Sequence, residues 1–402
     1  MIERPAYLAK LLGFKDKRLI KIVTGVRRCG KSTLFELYQN ELARQDVRAE
    51  QIQSINFEDP AYLELLDWEK LYAHITGRLV PNKTNYIFLD EVQNVPDFQK
   101  AADGLFIRKN VDLYLTGSNS KMLSGAWATL LSGRYIEIHL FPLSFKEYVS
   151  YMAPRPGFEA FGLDRLYMRY TGYSGFPYVT QLDESLIRDY LSGIYSTIML
   201  KDVAANKNIR DVSRLESLIR FMADTIGSES SVNNIAKTMT ADGRKIDTHA
   251  VEDYLDALRD SYILYRAGRY DVKGKKLLKT LNKYYLVDPG LRYFLLGGRE
   301  PDSGHILENV VYLELLRRYH RVFIGKVGEK EVDFVAEGGK GTEYYQVSDT
   351  VRGKTTLARE LAPMDAIRDH NPKFLLTRDY DPPASHNGIK QLNVLEWLLE
   401  TP

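Results

Sequence analysis

A chain of 402 residues with a single cysteine, Cys29, can close no internal disulfide and build no Cys-based zinc site. Such scarcity is what a reducing compartment predicts. Long apolar runs are missing too, and none is long enough to cross a bilayer. The stretch from Met1 to Lys21 breaks its apolar residues with Glu3, Arg4, Lys10, Lys15, Asp16 and Lys17, so it lacks the continuous core of a signal peptide. These absences predict a cytoplasmic protein with no membrane contact. A charge surplus is also lacking: 55 Lys and Arg against 53 Asp and Glu leave +2, so no whole-molecule field recruits nucleic acid or an anionic surface. No internal repeat or low-complexity segment interrupts the chain.

What is present is an ordinary globular composition, 44% apolar and 27% charged, in a chain too long for one core. From Leu19 to Leu140 short apolar runs alternate with amphipathic stretches, the pattern of parallel strands joined by crossover helices. The spacing predicts strands over 19–24, 54–57, 86–89, 111–116 and 135–140. It predicts helices over 31–44, 68–78, 97–109 and 120–131. Beyond Phe141-Pro142-Leu143 the reading turns helical, with loops at the Gly and Pro residues of 153–157 and 172–177. Helices near Ile235 and Tyr254, then strand-like runs at 263–270 and 283–287, have winged-helix spacing. A final module opens with an apolar helix near Leu307 and continues with strands at 322–324, 331–335 and 344–347, a helix over 357–369 and a strand at 374–376. The predicted class is α/β, divided as 1–150, 151–210, 211–300 and 301–402.

Gly25-Val-Arg-Arg-Cys-Gly30-Lys31-Ser32 fits G-x-x-x-x-G-K-[ST] and stands between a strand and a helix, the context a phosphate-binding loop needs. Its glycines let N–H groups converge on phosphate oxygens, Lys31 reaches the β and γ phosphates, and Ser32 ligates Mg²⁺. Gly25, Gly30, Lys31, Ser32 and Thr33 are therefore the expected ATP-binding residues. Asn85-Tyr-Ile-Phe-Leu-Asp90-Glu91 is an apolar strand ending in two carboxylates, and lying beside the first strand it would set Asp90 near Ser32 and the metal. Glu91 is then the general base for water. The next strand ends at Ser118 and Asn119, of which Ser118 is the first choice to touch the γ-phosphate or the water. Arg134 either stabilises γ-phosphoryl charge, in its own subunit or across an interface, or forms a surface salt bridge. Cys29 reads as a small apolar filler or as a redox-sensitive thiol.

Together these residues resemble the AAA-type (AAA+) ATPases of bacteria and archaea that carry a C-terminal domain of unknown function. The matching pieces are the phosphate loop, Phe-Leu-Asp90-Glu91-Val-Gln, Leu-Thr-Gly-Ser118, Gly133-Arg134, Phe-Pro-Leu-Ser-Phe-Lys-Glu147, Gly175-Phe-Pro177, Leu-Glu308-Asn-Val-Val-Tyr and Glu331-Val-Asp333-Phe. The resemblance implies a parallel-sheet P-loop core whose sensor strand lies between the first strand and the one ending at Asp90. It also implies a helical lid, with Pro177 near the nucleotide. On its residues alone, Gly175-Phe-Pro177 is simply a turn.

Ser231–Lys237 and Asp247–Leu258 resemble the helices of a helix-turn-helix, followed by a wing. Glu252, Asp253, Asp256 and Asp260 make the second helix acidic, so a structural or protein-contact role competes with DNA binding. The last module resembles the PD-(D/E)xK restriction-endonuclease-like fold, with Glu308 and Asp333 in place. Gln346-Val-Ser348 stands where an acid and a lysine belong, which predicts a domain without cleavage activity. The leading functional expectation is an ATPase that acts as a nucleotide-dependent switch or remodelling motor, with protein or DNA partners and oligomers left open. The alternatives are an ATP-regulated nucleic-acid binder or nuclease and a small-molecule kinase, the latter disfavoured by the Asp90-Glu91 pair.

Overall fold

The computed structural model describes residues 2–123, 133–204, 209, 211–298 and 302–400. The chain divides into two compact units, residues 1–142 with 260–262, and residues 143–259 with 263–402. Both are mixed α/β.

In the first unit the central strands are near-continuous apolar runs, as buried parallel strands require. β1 (Ile20–Thr24) and β3 (Asn85–Asp90) are buried at every position, whereas β2 (Ile52–Asn56) at the edge is buried only at Ile55. With β4 (Val111–Gly117) and β5 (Tyr135–His139) they form one parallel sheet in the order β2-β3-β4-β1-β5. The expectation that the Asp90 strand lies beside β1 is corrected: β4 separates them, as the family resemblance implied.

Side chains alternate across the sheet with period two. Ile87, Leu89, Leu113 and Leu115 join Ile20 and Ile22 in a core with Leu71 and Ile75 of α3 (Trp68–Thr76) and Leu105 of α4 (Phe98–Ile107). The other face carries Phe88 and Tyr114, stacked at 4.8 Å, against Phe35 and Tyr38 of α2 (Lys31–Arg44). Continued to the strand ends, that alternation delivers Asp90 and Thr116 on the α2 side. Helix α1 (Pro5–Gly13) precedes β1. Of the helix expected over 120–131, a short 3-10 turn at Ser120–Leu123 is described, and 124–132 lie outside the described residues.

The second unit opens with α5 (Phe145–Met152), whose capping box pairs Ser144 with Glu147, then α6 (Leu163–Tyr173), a 3-10 turn at Pro177–Gln181, and α7 (Glu184–Thr197). Helices α8 (Val212–Asp224), α9 (Val232–Ala241) and α10 (Thr248–Asp260) lead to the hairpin β6 (Leu264–Asp271) and β7 (Lys276–Leu286). After α11 (Pro289–Leu295) come α12 (Ser303–Arg318), β8 (Arg321–Val327), β9 (Lys330–Gly338), β10 (Gly341–Ser348), α13 (Lys354–Asp365), β11 (Lys373–Thr377), β12 (Ala384–His386), β13 (Ile389–Asn393) and α14 (Val394–Leu399). β6 pairs in parallel with β8, so the hairpin extends the last module's sheet into eight strands, β12-β13-β11-β10-β9-β8-β6-β7. The segments expected as separate modules at 211–300 and 301–402 thus share a sheet.

Candidate nucleotide site

The loop from Gly25 to Lys31 turns because two glycines adopt conformations other residues avoid. Gly25 has φ +147° and an added Cβ would lie 2.2 Å from the Leu140 carbonyl oxygen; Gly30 has φ +102° where α2 begins. Arg28 is also left-handed at φ 68°. Such loops turn successive N–H groups toward an anion, and the N-terminus of a 14-residue helix adds its dipole. Arg4 braces the loop from behind, donating to the carbonyls of Cys29 at 3.3 Å and Phe141 at 2.8 Å. Cys29 is fully buried and burial pushes its thiol up, so the filler reading fits and a reactive thiolate does not.

Lys31 curls back over the loop, its Nζ 3.2 Å from the Gly25 carbonyl and 3.1 Å from Glu91 Oε1. Burial alone would lower this lysine, but the facing Glu91 carboxylate, joined by lesser charges that include Asp90, holds the ammonium above its usual range. Burial likewise opposes ionisation of Glu91, yet Lys31 and Arg27 pull its carboxyl below the usual value. The pair is ionised. Arg27 is itself tied to Glu58.

Ser32 Oγ donates to Asp90 Oδ2 at 2.5 Å. Two hard oxygen donors side by side suit Mg²⁺. Among the described residues no three His, Cys, Asp or Glu side chains gather to hold a metal alone, so the nucleotide and water would complete the shell. Asp90 also accepts from Thr116 Oγ1, and Thr116 in turn accepts from the Glu91 N–H at 2.8 Å. Ser118 Oγ donates to Glu91 Oε2 at 3.1 Å. Asn119 Oδ1 caps the Lys121 N–H at 2.9 Å, and its buried Nδ2 has no hydrogen-bond partner among the described residues.

Lys31, Ser32, Asp90, Glu91 and Ser118 thus come together, with Gly25 and Gly30 on the loop, Thr33 in the first turn of α2 and Asn119 just past β4. Arg134 does not join them. It precedes β5, where its carbonyl accepts from Ile20 N at 2.8 Å, and it pairs with Asp103 at 2.5 Å on the surface. The five-residue β1 separates that end from the loop by roughly 17 Å, so of the readings open for Arg134 these contacts match the surface salt bridge and not a phosphate contact in its own subunit. Pro177 belongs to the second unit, where it opens a 3-10 turn. Sequence reasoning missed Thr116 and Gln93. The strand alternation that marks Asp90 would have pointed to Thr116.

In the second unit Glu308 Oε1 accepts from Lys283 Nζ at 3.0 Å and Tyr285 OH at 2.6 Å, and Lys283 also meets Glu331 at 2.6 Å. Asp333 Oδ2 accepts from Val347 N at 2.8 Å, Gln346 Nε2 donates to Glu360 at 2.9 Å, and Ser348 bonds the Thr350 carbonyl at 3.2 Å. An ammonium from the hairpin, absent from the sequence reading, sits among these carboxylates.

Residues 17–149 match the family model of the AAA domain, and residues 164–302 match that of a domain of unknown function, DUF8612. The Walker-type ATPase PABY2304 of Pyrococcus abyssi shares the fold, with TM-score 0.51 and 16% identity over 73% of this chain and 96% of that one. An uncharacterized protein of Methanocaldococcus jannaschii is 28% identical over 389 residues, 90% of this chain and 82% of that protein. An uncharacterized protein of Haemophilus influenzae is 38% identical over 401 residues, 100% of this chain and 99% of that protein. At that identity and coverage, the chain belongs to the family of the Haemophilus protein, and it carries an AAA domain at residues 17–149.

Proposed function

We propose that the chain binds ATP with Mg²⁺ and hydrolyses it, and that the nucleotide state is its output, as in a switch or remodelling motor. The observation that carries this reading is the buried Lys31–Glu91 pair at 3.1 Å beside the Ser32–Asp90 contact. ATP phosphates lie along the loop N–H groups, and Lys31 leaves Glu91 for the β and γ oxygens. The carboxylate so released takes a proton from water as the water oxygen attacks the γ-phosphorus and the bond to ADP breaks. Ser118 steadies the carboxylate or the γ-phosphate. Magnesium held by Ser32 and Asp90 supplies neutralisation of phosphate charge. Arg134 is assigned no part within its own subunit.

Protein or DNA contacts belong to the second unit, in which Lys273, Lys275 and Lys276 cluster at the hairpin tip. The nuclease alternative is weakened by Gln346 and Ser348, which stand where an acid and a lysine belong, while Lys283 pairs with Glu308 and Glu331. Lys31→Ala tests the binding step: titration calorimetry with Mg-ATP is expected to show at least ~100-fold weaker affinity. Unchanged affinity would remove Lys31, and with it the phosphate site, from the account.

A further inference from the structure

We propose that Gln93 is the positioning residue for Glu91, an inference that rests on the hydrolysis proposed above. Gln93 is the middle residue of the 3-10 turn Val92–Asn94 that follows β3. Its Nε2 donates to Glu91 Oε2 at 2.5 Å and to Ser118 Oγ at 3.2 Å, while Ser118 donates to the same carboxylate oxygen at 3.1 Å. The amide can face only this way, because turning it over would set Oε1 against a carboxylate with no donor between them. Oε1 itself is buried without a hydrogen-bond partner among the described residues. It packs at Gly117, where an added Cβ would come within 3.1 Å of it and 1.9 Å of Met122 Sδ. A side chain at the end of β4 would collide with Met122 and press on the Gln93 amide.

Glu91 needs such a holder. Its backbone is left-handed at φ 54°, a conformation that costs a non-glycine residue of order 1 kcal/mol or more, and that aims the side chain into the site. Lys31 meets the carboxylate at Oε1 and the Gln93–Ser118 pair holds Oε2, with the Arg27 charge acting on it as well. Lys31 is also the group that phosphate claims. Once nucleotide takes the ammonium, Gln93 and Ser118 still hold Oε2, beside the charge of Arg27. A base displaced by about 1 Å from its water loses on the order of 10²-fold in rate.

The test uses the full-length chain and compares wild type, Gln93→Ala, Gln93→Asn, Glu91→Gln and the double variant Glu91→Gln with Gln93→Ala. ATP affinity is measured by calorimetry and turnover by phosphate release. The expected result for Gln93→Ala is a kcat lower by ~10- to 100-fold with ATP affinity within about 3-fold of wild type. Gln93→Asn, which keeps the amide one methylene shorter, recovers part of the loss. The double variant turns over no more slowly than Glu91→Gln alone, because the amide acts only through Glu91. Wild-type kcat in Gln93→Ala, a further loss in the double variant, or a loss that tracks ATP affinity would each overturn the inference while leaving hydrolysis standing. Wild-type protein that binds ATP without turning it over would overturn the hydrolysis reading, and this inference with it.

Discussion

The Thr116 hydroxyl donates to Asp90 while its oxygen accepts from the Glu91 N–H at 2.8 Å, so one side chain on β4 fixes both carboxylates at the end of β3. All three residues are buried, and removing the hydroxyl leaves an N–H and a carboxylate oxygen short of partners. Thr116→Val, nearly the same shape, is therefore expected to lose ~1–3 kcal/mol of stability in chemical denaturation. A loss below about 0.5 kcal/mol, the scale of ordinary surface changes, would mean that water replaces the hydroxyl. The individual roles were legible to different degrees. Lys31, Ser32, Asp90 and Glu91 follow from local chain order, since each sits at a fixed place on a loop or strand end. Alternation puts Thr116 on the right face of its strand, but its partners and those of Gln93 depend on which strand neighbours which, and that pairing is not written in either segment.

At the scale of elements, the strands of the first unit follow from their apolar runs, and the whole β1–β5 series lies where those runs place it. The junction of β6 with β8 was not legible, because a parallel pairing between Arg269 and Ile324 joins segments that each read as complete. Lys283 is hidden for the same reason: its partner Glu308 lies on a helix beyond α11. A second non-local link ties the Gly175-Phe-Pro177 turn to the start of α11. Asp288 Oδ2 accepts from Gly175 N at 2.7 Å and Oδ1 accepts from Leu291 N at 2.7 Å. Burial pushes the Asp288 carboxyl up to about 6 from 3.8, against the pull of those N–H groups. The folded chain then binds this proton more tightly than the unfolded chain, so the group's contribution is fullest below pH 3.8 and is lost as pH rises through about 6. The difference is worth about 3 kcal/mol. Asp288→Asn cannot titrate. Urea denaturation of both proteins is expected to show the stability of wild type, relative to the variant, rising as pH falls from 7 to about 4. A relative stability that falls toward acid would show that the N–H bonds outweigh burial.

For the whole molecule, a net charge of +2 offers no long-range field, so recognition must come from local sites. The site built furthest is the phosphate loop with its two carboxylates, all within the first unit. The relative at 38% identity spans the entire chain, so the second unit accompanies the AAA domain in this family. Nucleotide turnover, rather than binding alone, is what the proposed switch or motor depends on. It is tested most directly by steady-state phosphate release from Mg-ATP by wild type and Glu91→Gln, each saturated with nucleotide. Measurable wild-type turnover is expected, with a loss of ~100-fold or more in Glu91→Gln while ATP stays bound. Equal turnover in the two proteins would contradict it.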